Sequence, residues 1–258
     1  DMLAYEPSQQ PTAAPGRTVA YTYYASPEIG ETASLVRDWG NVLQNPSLGL
    51  YGAIIVGPRG ATYTHPHTGE DISGAASWAA DVHTSGNSYR DFVLLLHDED
   101  EIIGTHQMPY TEHVQGTVAV NYRYEPLDRR LRRNPDTSAV FRSVVHGDPS
   151  TPVLQAFAGD AVRIHVLVPV SEQAHVFTIE GHTWPFEPGL DGTNIVSSML
   201  IGGLQTLDIR IASAGGEARL PGQYLYGDHR EPYREAGMWG LFKVYARGAE
   251  GVDLHRLP

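Results

Sequence analysis

The sequence predicts an all-β chain of Greek-key β-sandwich type, and three observations predict it. Short apolar runs alternate with polar residues at a period of two, Gly and Pro pairs punctuate the runs, and helix signals are scarce. Ala161–Val168 and Thr206–Ile211 alternate most clearly, as sandwich strands with one inward face do.

The elements follow in chain order. Residues 9–16, rich in Pro, Ala and Gln, read as an extended arm or linker within 1–17. Tyr21–Ser26 and Gly49–Val56 are alternating aromatic and apolar segments that suit half-buried strands. Ser34–Gln44 carries the only plausible helical stripe, which Gly40 limits to a short piece. Asp91–His97 is an apolar run bounded by acidic turn residues, as expected for a buried strand. Val118–Tyr124 and Val153–Phe157 continue the pattern, and Gly159-Asp160 and Pro221-Gly222 are turn signals.

An internal echo organises the chain. Tyr21-Thr-Tyr-Tyr-Ala-Ser followed by Gly49-Leu-Tyr-Gly-Ala-Ile-Ile-Val56 matches Tyr224-Leu-Tyr-Gly-Asp-His followed by Gly237-Met-Trp-Gly-Leu-Phe-Lys-Val244. Both read as strand, loop and closing strand, but only the second has a full set of strand-like segments ahead of it. The division expected is an arm or linker over 1–17, the closing part of one sandwich over 18–89, a complete sandwich over 90–247 and a tail over 248–258. A sandwich lacking strands leaves open edges and an uncovered core face. A complementary polypeptide, or missing N-terminal domains, is therefore expected to complete the first one.

Bulk properties exclude several classes. The 258 residues are 41% hydrophobic and 19% charged, ordinary for a globular protein, and the formal charge of −12 with no basic run argues against nucleic acid. No apolar run is long enough for a signal peptide or a membrane span, and the start at Asp1 reads as a processed or excised chain. There is no Cys, so disulfides say nothing about compartment. Nothing resembles a phosphate loop, a nucleophile elbow or a dinucleotide fingerprint.

Gly159-Asp-Ala-Val-Arg-Ile-His165, His175-Val-Phe-Thr-Ile-Glu-Gly-His-Thr-Trp184 and Gly222–Val244 occur in the order and spacing of the last domain of a multicopper oxidase. The chain thus resembles the C-terminal part of the large bacterial members of that family, with cupredoxin-like domains. The resemblance implies copper as cofactor, one-electron oxidation of a substrate coupled to dioxygen reduction, and a secreted or cell-envelope location.

Most of the family's ligands are absent. Its His-Pro-x-His-x-His-Gly motif falls on His175, Thr178 and Glu180, and its His-Cys-His-x-x-x-His-x-x-x-x-Met motif on Gly227, Asp228, His229, Tyr233 and Met238. A blue-copper centre needs a thiolate, so this chain alone cannot build one. Copper is then expected mainly on a partner chain or on missing domains. His175, His229 and Met238 are the metal candidates, with Asp228 or Glu180 as carboxylate donors suited to Zn, Mn or Fe. The alternative is that the three are remnants kept by packing and hydrogen bonding. Weaker signals are His65-Pro-His67, Asp98-Glu-Asp-Glu101 and the group His106, Met108 and His113. Two functional readings stand: a component of an oxidase assembly, or a cupredoxin-like structural or interaction module without its own copper.

Overall fold

The structure is a computed structural model that describes residues 3–5, 12–38, 40–41, 45–99, 117–171 and 173–258. The strands in chain order are β1 (Leu3–Tyr5), β2 (Tyr23–Ala25), β3 (Thr32–Arg37), β4 (Tyr51–Val56), β5 (Thr62–Thr64), β6 (Ala79–His83), β7 (Ser88–Glu99), β8 (Thr117–Val120) and β9 (Val153–Phe157). They continue as β10 (Val162–Val170), β11 (His175–Ile179), β12 (Trp184–Pro185), β13 (Ile195–Val196), β14 (Ser198–Ile201), β15 (Thr206–Ile211), β16 (Gly222–Asp228) and β17 (Trp239–Tyr245). Short helices α1 (Leu127–Leu131), α2 (Ser143–His146) and α3 (Glu231–Ala236) sit between strands.

Two sheets make the sandwich. One has the order β15-β10-β7-β6-β5, with β8 also on β7, and the other has the order β14-β11-β16-β17-β9. β7 and β10 run parallel, as do β9 and β17, and the remaining ladders are antiparallel. The core lies between the sheets because the alternation works as expected. Val162, Ile164, Val166 and Val168 of β10 face Phe177 and Ile179 of β11 and Phe242 and Val244 of β17 in one buried cluster. β5 and β6, within the 18–89 segment, hydrogen-bond into this same sheet through β7.

Arg90 fixes that junction. Its fully buried guanidinium holds Asp81 of β6 with two bonds of 2.7 Å, Asp160 at 3.1 Å and the His255 carbonyl at 2.5 Å. The 248–258 segment is thereby tied to the sandwich, and Leu254 is buried with it.

β3 and β4 form a separate two-stranded sheet. Ala33 and Leu35 from one strand, with Tyr51, Ala53 and Ile55 from the other, pack on Val93, Leu95 and Leu167 of the sandwich's outer face. The helix expected from Ser34 onward is overturned here: Ser34–Arg37 is strand, with Ser34 opposite Ile54. Apolar residues at alternate positions bury one side of a strand against β7 and β10, and that burial outweighs a weak helical stripe. Residues 39 and 42–44 of that stretch lie outside the described residues. The echo between chain ends is also looser than the sequence reads, because β4 takes β3 as its neighbour while β2 pairs with β1. Val118–Tyr124 ends as strand at Val120, where Asn121 and Tyr122 turn through positive φ of 49° and 64°.

Candidate functional site

Two of the expected metal ligands, His229 and Met238, lie where β16 leads into α3 and β17, and the third, His175, opens the neighbouring β11. Gly227 has φ +136°, and a Cβ there would lie 2.4 Å from the Met238 carbonyl oxygen, so only Gly lets the two strands close at this end. Gly237 is the left-handed C-cap of α3, where a Cβ would meet the Glu125 nitrogen at 2.6 Å. Pro near the helix start and Gly just past its end were the signals that could have revealed α3.

Between these glycines, Asp228 is the hub of a buried polar cluster. Its Oδ2 accepts from His175 Nδ1 at 2.7 Å, and its Oδ1 accepts from the Val176 and Arg230 backbone N–H groups, each at 3.0 Å. His175 Nε2 faces Ser171 Oγ at 3.0 Å and Asp98 Oδ2 at 3.8 Å. His175, Asp98 and Asp228 side chains are all fully buried. The Tyr233 ring of α3 covers the imidazole edge-on, 5.0 Å between centroids. Because Asp98 comes from β7 and the other two from the opposite sheet, the cluster clasps the two layers at one end of the sandwich.

The other candidates lie in different surroundings. His229 projects outward, and its Nδ1 accepts from Arg234 at 3.1 Å. A guanidinium only donates, so that lone pair is occupied, the neutral ring carries its proton on Nε2, and a positive charge stands where a cation would approach. Met238 is fully buried in the core cluster. Glu180 is exposed, and Thr178 donates to the Ser197 carbonyl.

These donors do not fit copper. No thiolate is present, both nitrogens of His175 face protein partners, and the available nitrogen of His229 is taken by Arg234. Among the described residues no group of three or more His, Cys, Asp or Glu side chains is arranged to hold a metal ion. His65 Nδ1 accepts from the His67 and Thr68 N–H groups as a turn cap, while His67 bonds the Asp253 carbonyl. His182 Nδ1 meets the Glu180 carbonyl at 2.9 Å and Nε2 accepts from the Gly215 N–H; burial pushes its pKa down. His106, Met108 and His113 lie outside the described residues, as do positions 100 and 101 of the acidic run.

A second buried histidine was not singled out from sequence. On the outer face of the first sheet, His165 lies between Asp208, at 2.5 Å from Nδ1, and Asp91, at 3.1 Å from Nε2. Beside it, Arg163 stacks 3.8 Å from the Tyr89 ring and pairs with Glu31, so the network joins the segment before β3 to the sandwich. Burial opposes the imidazolium, and the two carboxylates outweigh it, raising the pKa from 6.5 to about 9. A raised folded-state pKa gives stability that is fully present below pH 6.5 and is lost as pH rises through about 9. The expected loss is on the order of 3 kcal/mol. Urea unfolding across that window should show it, and His165→Gln should flatten the profile.

No protein-family model and no curated protein matches the chain. Solved structures do match in shape. A copper nitrite reductase from Nitrosomonas europaea aligns with a TM-score of 0.50 at 16% identity, over 91% of this chain and 69% of that one. A laccase from Botrytis aclada aligns at 0.51 and 14%, over 93% and 40%. A copper-containing nitrite reductase from Thermus scotoductus aligns at 0.52 and 14%, over 92% and 45%. The chain therefore spans less than half the length of the last two. At such identities the likeness establishes the architecture, and the chain has a cupredoxin-like β-sandwich fold.

Proposed function

We propose that this chain is a structural component of a multicopper oxidase-like assembly in which partner domains hold the copper and this sandwich shapes the interface with them. The reading is supported above all by the burial of His175 between Asp228, hydrogen-bonded at 2.7 Å, and Asp98, 3.8 Å away, with both imidazole nitrogens turned to protein partners. Copper chemistry in such an assembly would pass single electrons from a substrate to dioxygen. This chain's own residues supply packing, a rigid β16–β17 frame and a contact surface.

The partner side of the proposal rests on β3 and β4. Their inward residues are covered by the sandwich, while Val36, Ile54 and Val56 alternate to the opposite face of a sheet only two strands wide. Further strands from a complementary polypeptide or from preceding domains would cover that face. Elemental analysis of the complex, before and after separating any co-purifying chain, tests the reading. Copper should remain with the partner, and copper remaining at stoichiometric level with this chain would contradict it.

A further inference from the structure

We propose that the cleft between β4 and the β7 edge binds a planar aromatic carboxylate. The inference is independent of the oxidase reading, since it uses none of His175, Asp228, His229 or Met238. The cleft measures about 780 Å³, within the range of small-molecule sites, about 300–1,000 Å³.

Its construction follows from a gap in the sheet. β6 covers β7 only to Phe92, and β8 begins its pairing at Leu96, which leaves the edge at Val93–Leu95 open. The Asn121 side chain closes that edge, donating to the Val93 carbonyl at 2.8 Å and accepting from the Leu95 N–H at 2.7 Å. To do so, Asn121 and Tyr122 take left-handed backbone conformations in succession, with φ of 49° and 64°. Tyr122 is 54% exposed, and its ring lies flat on Tyr51 with centroids 4.9 Å apart and planes at 9°. Trp78, also partly exposed, lines the same cleft. Fixed exposed aromatic faces beside apolar walls suit a flat ring.

The polar groups decide the ligand's charge. Ser77 donates to the Ala79 carbonyl, Ser150 to the Tyr124 carbonyl and Tyr122 to the Tyr51 carbonyl, so these hydroxyl protons are committed to the protein. Two groups remain. Thr151 is 2% exposed, lines the cleft, and its hydroxyl has no hydrogen-bond partner among the described residues. Arg123 is exposed and is the only charged side chain among the described lining residues, in a chain of formal charge −12. A guanidinium with no carboxylate among the described lining residues takes a carboxylate by two parallel bonds, and the buried hydroxyl offers one more polar contact.

The test uses the full chain and naphthoate, with uncharged naphthamide as control, followed by isothermal titration calorimetry. Saturable one-to-one naphthoate binding is expected, weakened about tenfold or more in Arg123→Gln. Naphthamide should bind wild type and Arg123→Gln alike and more weakly than naphthoate binds wild type. Thr151→Val, close in shape, should weaken naphthoate several-fold without changing the circular dichroism spectrum. Absence of saturable binding overturns the site. Equal affinity for naphthoate and naphthamide, or an unchanged naphthoate affinity in Arg123→Gln, overturns the carboxylate assignment.

Discussion

Asp228→Ala is expected to destabilise the fold by about 3–5 kcal/mol, because it removes the acceptor at the centre of a hydrogen-bonded cluster and leaves its donors behind. Three donors lose their acceptor at once: His175 Nδ1 and the Val176 and Arg230 N–H groups. The His175 side chain is fully buried and the two backbone donors are part-buried, so solvent compensates little of the loss. Asp228→Asn separates the two contributions, since an amide oxygen can still accept from both backbone groups while the charge is gone. It should cost less than Asp228→Ala. Urea unfolding with an unchanged m-value is the measurement, and equal losses for the two variants would mean that the charge on Asp228 carries the clasp.

Arg90→Met should be as damaging, again about 3–5 kcal/mol. The methionine fills much of the same volume but leaves Asp81, fully buried, and Asp160, nearly so, facing each other without their shared cation. Arg90→Lys keeps the charge, yet a single ammonium cannot fork to Asp81, bond Asp160 and reach the His255 carbonyl together. It should recover only part of the loss. Because His255 depends on this guanidinium, limited proteolysis should cut the 248–258 segment sooner in Arg90→Met. Resistance equal to wild type would show that the segment is held by other contacts, such as the His255 N–H bond to Pro66.

Much of the sandwich was legible because its strands carry their burial in sequence. Thr206–Ile211 alternates in the chain and in its burial, and Ala161–Val168 is strand from Val162 onward, although β10 is buried on both faces from Ile164 to Pro169. Ser34–Arg37 reads as helix but folds as strand because the inward residues of β3, Ala33 and Leu35, find their partners far away on β7 and β10, and no local window contains that contact. α3 was missed because it is one and a half turns in a loop, defined by its ends rather than by an apolar stripe.

The candidate site was legible as a set of positions and not as an arrangement. His175, His229 and Met238 fall in one motif frame, but strand alternation sends His175 inward, the loop sends His229 outward to Arg234, and Met238 into the core. The decisive residue is Asp228, which the sequence offered as a possible metal donor. Its Val176 N–H donor and its imidazole partner come from across the β11–β16 pairing, and that proximity is a tertiary fact. His165 gave no signal at all, because Asp91 and Asp208 approach it from neighbouring strands.

Copper uptake by the isolated chain tests the central claim most directly. The protein, stripped with a chelator, is offered Cu(II) and separately Cu(I), desalted, and analysed for metal per polypeptide. The account predicts retention far below one equivalent, with no change when His175 is replaced by Phe. One tightly held equivalent that His175→Phe abolishes would contradict it, and would make this sandwich a metal centre in its own right.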